Sequence, residues 1–262
     1  MPLRVKLRSI EIVEDRTAAA SADEGYLTLA RFRLRNEYED GTRSRVYDCD
    51  VLSRPGSDAV VAALYQIDGR RRIHVVLRDM SRAPIYLRKH KRFVHPDPRT
   101  YVTLRELVAG VVETSDETGA AGLCQRASVE TQEEAGLAVP PEAFRPIGGE
   151  TFASPGMSDE KLYFCAAPTD VAKARAGSGD GSVMEEGAHI VILELGEAIA
   201  ACRSGDIPDM KTELGLLRLA DHLGYVPQLD CFADELPPPL RERYRRLGVA
   251  GAPGAPGGRE PR

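Results

Sequence analysis

Apolar and basic side chains alternate in two segments near the N-terminus. Segment 3–13 begins with leucine and valine between arginine and lysine, and segment 26–35 repeats this pattern around Phe32 and Leu34. A period of two puts neighbouring side chains on opposite faces, as in half-buried β-strands. With a third strand predicted over residues 45–52, the pattern indicates an antiparallel β module that occupies residues 1–54.

The next apolar runs are short and rich in β-branched residues. Runs 59–65 and 73–77 flank the turn sequence Asp68-Gly69-Arg70 and therefore predict a β-hairpin. Short apolar runs predict further strands, or the start of a strand, at 103–110, 137–139, 162–166 and 189–195.

The remaining segments have the composition or spacing of helices and loops. Helices are predicted over residues 119–135, which are acidic, and over the amphipathic segments 196–204 and 212–223. A basic, proline-containing stretch at 84–98 and a glycine-rich stretch at 174–184 predict loops. The tail covers 233–262, and its glycine-, alanine- and proline-rich part from about Gly248 is predicted to be disordered.

The acidic helix carries three carboxylates within five positions. Glu130 precedes Glu133 and Glu134 by three and four residues, so the three side chains share one face of a helix. Like charges on one face repel one another, and a bound divalent cation relieves that repulsion. Mg²⁺ prefers carboxylate oxygens and often shares its coordination sphere with substrate phosphates. The alternative is a solvated acidic face without a metal, which is common on helices.

Charge and hydropathy argue against two classes of partner. The chain has 262 residues and a net charge of −5, whereas nucleic-acid-binding domains usually carry a strong basic patch. The basic cluster at 88–92 is local and better explained as a solvated or phosphate-facing loop. No apolar run approaches the roughly 20 residues of a membrane span. We therefore expect neither a nucleic-acid nor a membrane partner.

Cysteine usage and the first residues indicate the compartment. The five cysteines are odd in number and no pair has the spacing of metal ligands, so neither a disulfide framework nor a zinc site is expected. Residues 1–6 alternate apolar and charged side chains and lack the apolar core of a secretion signal. A cytoplasmic protein with reduced thiols is the expectation.

The sequence of the acidic helix resembles the Nudix box, the signature of the Nudix hydrolases. The second half of that signature is arginine, glutamate, an apolar residue, any residue, two glutamates, any residue, glycine and an apolar residue. The matching positions hold Glu130, Glu133, Glu134, Gly136 and Leu137. The arginine position holds Val129 and the apolar position Thr131, and Gly110 matches the opening glycine when about five residues are inserted before Glu130.

Three further stretches resemble the branch of the family that hydrolyses ADP-ribose and nucleotide sugars. They are Glu-Leu-Val-Ala-Gly at 106–110, the Ser-Pro-Gly stretch that leads to Glu160, and a pair of C-terminal motifs at 185–191 and 205–212. Their order and spacing make the resemblance specific. It implies an α/β fold, a Nudix α/β/α sandwich with a mixed sheet, over residues 55–232, and a dimer formed through the N-terminal β module.

The resemblance also implies roles for individual residues. Mg²⁺ or Mn²⁺ would be held by Glu130, Glu133, Glu134 and the carbonyl oxygen of Ala109. Glu160 and Glu133 are the implied catalytic residues, and Glu160 would orient or deprotonate the attacking water. Implied substrate contacts are Glu106, Arg78, Arg82 and Gly110.

Val129 leaves the activity open. In the family, the box arginine pairs with a box glutamate and fixes its side chain, which valine cannot do. Arg126 lies about one helical turn before Glu130 and has the spacing to replace that arginine. Otherwise the site is looser but active, or it is inactive.

Two functions therefore remain. The first is metal-dependent hydrolysis of a nucleoside diphosphate linked to a sugar, either ADP-ribose or a nucleotide sugar, to a nucleoside monophosphate and a sugar phosphate. The second is a Nudix-fold protein that binds a nucleotide without turnover, as a sensor or partner protein. The base, the sugar and the metal stay open. The N-terminal strands have apolar faces without a core of their own, so we expect a homodimer with two-fold symmetry.

Overall fold

Two compact units make up the chain. The computed structural model describes residues 7–20, 26–177 and 187–246. Of the described residues, those up to Asp58 and those at 152–161 form the first unit, and the others form the second. No helix in the described ranges has the length and apolar character needed to cross a bilayer. The predicted disordered tail from Gly248 and most of the predicted glycine-rich loop lie outside the described residues, as do Glu185 and Glu186 of the C-terminal motif.

An antiparallel sheet forms most of the first unit. It consists of β1 (Leu7–Asp15), β2 (Thr28–Tyr38) and β3 (Tyr47–Ser53), in that order, with a short helix α1 (Thr17–Ala20) after β1. Arg31 and Arg33 of β2 pair across the sheet with acidic residues of β3 and β1, at 3.5 Å to Asp50 and 3.2 Å to Glu14. The predicted strands are present, and residues 3–6 of the first prediction lie outside the described part of the chain.

The second unit is built on a mixed sheet. The strands that follow β3 are β4 (Ala59–Ile67), β5 (Ile73–Met80), β6 (Leu104–Glu106), β7 (Val108–Val111), β8 (Arg145–Pro146), β9 (Thr151–Phe152), β10 (Lys161–Pro168) and β11 (His189–Glu194). The strand order is β11-β5-β4-β10-β8, with β6 paired to β5 and β7 to β4. β4 and β10 run parallel, whereas β5 is antiparallel to β4 and to β11. The strands β12 (Tyr225–Val226) and β13 (Cys231–Phe232) form a separate ribbon.

Helices pack on both faces of the mixed sheet. The helices described in this unit are α2 (Ala83–Tyr86), α3 (Gly119–Ala135), α4 (Leu195–Ser204), α5 (Met210–Leu223) and α6 (Pro238–Arg246). Those that pack on the strands are α3, α4 and α5. Cys165 of β10 belongs to the core cluster that includes Ala127 of α3. Its neighbour Phe164 faces the other side of the strand, where it lies beside Gly215 of α5. The predicted α/β class, with a mixed sheet and a separate antiparallel sheet, is confirmed.

Two local predictions are wrong. Residues 84–98, predicted as a loop, include most of α2 and a 3-10 helix at Leu87–His90. Pro84 permits this because the first turn of a helix needs no N–H from it. Residues 137–139, predicted as the start of a strand, form none. Leu137 and Val139 are buried in the core, and the prolines that follow lead into a 3-10 helix at Pro141–Ala143.

Candidate active site

The acidic helix α3 ends where the sequence predicts. Gly136 has a φ of 61°, in the left-handed region that favours glycine, and its N–H donates to carbonyls of the last turn. The helix packs on β7, and this packing brings the carboxylates near its C-terminal end to the backbone of that strand.

Glu134 is buried, and both of its carboxylate oxygens have partners. Oε2 accepts a hydrogen bond from the Ala109 N–H at 3.0 Å, and Oε1 pairs with Nη1 of Arg78. In an antiparallel strand, the N–H and C=O of one residue point to the same edge. The Ala109 carbonyl, which the resemblance implies as a metal ligand, therefore faces the same edge as its N–H.

Glu130 lies against Gly110 of the same strand. A Cβ added at Gly110 would overlap the Glu130 carboxylate, so this approach requires glycine. Arg126 lies 3.8 Å from Glu130 and makes shorter contacts to Asp116, with hydrogen bonds of 2.6 and 2.9 Å. The hydrogen bonds between Arg126 and Asp116 raise the pKa of the arginine and lower that of the aspartate. Arg126 thus contacts Glu130, while its role as a replacement for the box arginine stays a prediction.

Glu133 lines a groove that includes neither Glu130 nor Glu134. This groove has a volume of about 450 Å³ and is lined by Ser128, Val129, Gln132, Glu133 and residues 138–140. Val129 is one turn before Glu133, so an apolar side chain stands where the family pattern places arginine. In the described ranges, no three His, Cys, Asp or Glu side chains converge as a ready-made metal group.

A second buried carboxylate, Glu106, is surrounded by cations. Arg82 donates hydrogen bonds of 2.9 and 2.7 Å to its two oxygens, and Lys211 donates one of 2.6 Å. Burial on its own raises the pKa of Glu106, but the hydrogen bonds and charges of Arg82 and Lys211 outweigh it and hold that pKa at about 2. Glu106 is therefore a stable anion at neutral pH.

Asp209 and Thr212 connect the start of α5 to the backbone before β7. The Asp209 carboxylate accepts hydrogen bonds from the Thr212 N–H at 3.0 Å and its hydroxyl at 2.6 Å. The Thr212 hydroxyl oxygen in turn accepts the N–H of Leu107 at 2.9 Å. The motif at 205–212 therefore fixes the chain that leads to Ala109, a role that sequence reasoning did not assign.

The residues expected to touch substrate have partners within the protein. Arg78 is 2% exposed and lies inside β5, beside Glu134. Arg82 and Glu106 bind each other, and 34% of the Arg82 side chain stays exposed. Gly110 is in contact with Glu130. Of the three charged residues, Arg82 is the most accessible to a ligand, and the substrate contacts themselves stay predictions.

Glu160 belongs to the first unit. Its carboxylate accepts a hydrogen bond from Nη2 of Arg54 at 2.9 Å. Sequence reasoning missed Arg54, which follows β3 directly and precedes Pro55-Gly56. Glu160, the partner of Arg54, lies more than a hundred residues later in the chain. The one local signal for Arg54 is its position between the end of a strand and a Pro-Gly turn sequence.

No family model and no curated protein matches this chain. Among solved structures, the crystal structure of an ADP compounds hydrolase is similar to it, with a TM-score of 0.53 and 16% sequence identity. The match covers 84% of this chain and 94% of that chain. At this identity the similarity shows the fold: an α/β architecture of the kind found in that hydrolase.

Proposed function

We propose that this protein hydrolyses the diphosphate linkage of a nucleoside diphosphate joined to a sugar, either ADP-ribose or a nucleotide sugar. The products would be a nucleoside monophosphate and a sugar phosphate. The observation that carries the proposal is that Glu130 and Glu134 both contact the Ala109-Gly110 backbone of β7. The similarity of the fold to an ADP compounds hydrolase supports the class of substrate.

The residues at this junction fit a divalent cation that is held together with the substrate. Mg²⁺ is usually bound by one or two carboxylates, with waters and substrate phosphates as its other ligands. Glu130, Glu134 and the Ala109 carbonyl supply oxygen donors of this kind, and we propose Mg²⁺ or Mn²⁺ there. When bound, the ion would neutralise phosphate charge and increase the acidity of a water molecule.

The protein's own residues would bind the substrate, orient the attacking water and accept its proton. The close approach at Gly110 holds Glu130 against β7. The Arg82 guanidinium, which is partly exposed, is proposed to contact the anionic substrate. Glu160 is proposed to accept the proton of the attacking water at a carboxylate oxygen, a role that contributes on the order of a hundred- to ten-thousand-fold in rate. Glu133 stays a candidate for either role.

A specific observation favours a second function, nucleotide binding without turnover. Arg78 pairs with Glu134 inside the protein and neutralises one of the two carboxylates that would attract a cation. Val129 in place of the box arginine points in the same direction. The protein would then act as a sensor or partner protein that recognises a nucleotide.

We also propose that the sheet of the first unit forms a homodimer. Ile12 pairs with Leu34, and Leu34 with Tyr47, so these side chains share one face of the sheet. Ile12 is 59% exposed, and a two-fold symmetric partner would cover it with the same face of a second copy. Light scattering at micromolar concentration checks this proposal, and a monomer unchanged by ligand would contradict it.

A substrate panel tests the main proposal. ADP-ribose and a set of nucleotide sugars are incubated with Mg²⁺ or Mn²⁺, and released nucleoside monophosphate is measured by chromatography. We expect release from at least one substrate, complete loss with a chelator, and recovery when metal is restored. Tight nucleotide binding without monophosphate release across the whole panel would favour the second function.

A further inference from the structure

The segment 152–161 lies along β3 of the first unit. The Leu52 N–H donates to the Met157 carbonyl at 2.9 Å, and Leu52 forms a parallel bridge with Ser158. β3 is the last strand in the order β1-β2-β3, and an edge strand presents backbone groups for further pairing. The segment that contains the Ser-Pro-Gly sequence therefore docks on the edge of the N-terminal sheet.

Two serine side chains, one at the end of β3 and one shortly after it, also hold this segment. Asp159 accepts hydrogen bonds from the hydroxyl of Ser53 at 2.9 Å and from that of Ser57 at 2.7 Å. The bond from Ser57 contributes most to lowering the pKa of Asp159, so the carboxylate is ionised and available as an acceptor. Asp159 thus anchors the residue immediately before Glu160.

Arg54 holds the Glu160 carboxylate itself. Its Nη2 donates to Oε1 of Glu160 at 2.9 Å, while its Nη1 donates to the hydroxyl of Tyr26 at 3.1 Å. The side chains of Arg54 and Glu160 are 20% and 30% exposed. Hydrogen bonds between ionised partners are stronger than neutral ones, and the planar guanidinium adds directionality. The orientation of Glu160 is therefore set by an arginine of the N-terminal unit.

We propose that Arg54 is the positioning residue for Glu160, orienting the carboxylate that accepts the proton of the attacking water. This inference rests on the proposed function, in which Glu160 acts on that water. Because an error of about 1 Å in the position of a reacting group can cost roughly a hundredfold in rate, loss of Arg54 should act on kcat rather than on KM.

The test compares Arg54→Gln and Arg54→Lys with the matched control Arg33→Gln. Arg33 also forms ion pairs within the first unit, but its partners are Glu14 and Asp48, which lie outside the segment 152–161. We expect Arg54→Gln to lower kcat roughly ten- to a hundredfold, with KM and the unfolding midpoint close to those of the control. Arg54→Lys should recover part of kcat. A kcat for Arg54→Gln equal to that of Arg33→Gln overturns the proposal.

A double-mutant cycle separates positioning from a general structural effect. In a Glu160→Gln background, Arg54→Gln should lower kcat no further, because no base is left to orient. If the double variant instead loses kcat by the product of the two single-variant losses, the proposal is overturned.

Amide hydrogen exchange of residues 153–160 in the intact protein needs no substrate. Faster exchange in Arg54→Gln than in Arg33→Gln supports the docking contact, and equal exchange overturns it. Failure of the proposed function would show as a wild-type protein without turnover. Failure of this inference would show as an active wild type and an unaltered Arg54→Gln variant.

Discussion

Two carboxylate clusters of the second unit differ in what surrounds them. Glu106 is enclosed by the long cations Arg82 and Lys211, which hold its pKa at about 2. Glu130 and Glu134 also have arginine contacts, but both meet the backbone of β7 as well. In the first arrangement, the charge of Glu106 is neutralised by ion pairs, one of which joins β6 to α5 through Lys211. The second gathers several oxygen atoms at one place, which is the requirement for binding a cation.

The largest effect that separates the clusters is expected at α3. Glu130→Gln keeps the shape of the side chain against Gly110 but removes its charge, so it should lower metal-dependent kcat/KM by on the order of a hundredfold or more. The unfolding midpoint should change little. Steady-state kinetics over a range of Mg²⁺ concentrations and a thermal scan measure both quantities. Full turnover of this variant at low Mg²⁺ would show that the site is elsewhere.

A substitution in the Glu106 cluster should change the stability of the protein. Glu106→Gln leaves Arg82 and Lys211 without their buried anion, which should reduce the free energy of unfolding by about 2–3 kcal/mol, less than a fully buried pair because both cations reach solvent. Urea unfolding measures the loss. Asp79→Asn is the control, since Asp79 binds Arg105 through two hydrogen bonds of 2.7 and 2.8 Å at a more exposed position. Equal losses of unfolding free energy in the two variants would show that the buried Glu106 cluster stabilises the protein no more than a more exposed ion pair.

A smaller effect is expected where α5 meets the chain before β7. Thr212→Val removes the acceptor of the Leu107 N–H and the donor to Asp209 while keeping the side-chain volume. The free energy of unfolding should fall by about 1–2 kcal/mol, because a buried N–H loses its partner. Chemical denaturation of the variant checks the value. No measurable change would mean that this contact does not support the strand.

A further effect concerns pH. The pKa of Glu106 lies at about 2 in the folded protein, below its ordinary value of 4.5. Its contribution to stability is therefore complete above pH 4.5 and is lost as the pH falls towards 2, because the unfolded chain binds the proton first. Over that interval the wild type should lose more unfolding free energy than Glu106→Gln. Parallel pH profiles of the two proteins would contradict this assignment.

The sequence predicts the elements of the second unit better than the partners of its buried charges. The predicted limits of α3 agree with the structure, because Gly136 supplies the left-handed residue that ends a helix. The strand β5 is predicted to end at Leu77, before the charged Arg78, yet it continues to Met80. Charged residues are almost never buried unless they are paired. The partner, Glu134, comes from a distant helix, so local sequence carries no sign of it.

The candidate site shows the same division. The resemblance groups Ala109 and Gly110 with Glu130 and Glu134, and the structure places these four residues at one junction. The resemblance also includes Glu133, which lines a groove that includes neither Glu130 nor Glu134. Residues are about 100° apart around a helix, so Glu134 points closer to the direction of Glu130 than Glu133 does. A shared helical face is thus too coarse a criterion to select ligands, and long-range partners such as that of Arg54 require the folded chain.

We propose above that the junction of α3 and β7 holds a cation together with the substrate. The most direct measurement is Mn²⁺ binding, followed by electron paramagnetic resonance, in the presence of a non-hydrolysable ADP-ribose analogue. Wild-type protein should bind Mn²⁺ with the analogue, and Glu130→Gln should bind it at least about tenfold more weakly. Equal Mn²⁺ affinity in the two proteins, or no Mn²⁺ binding by the wild type, would contradict the account.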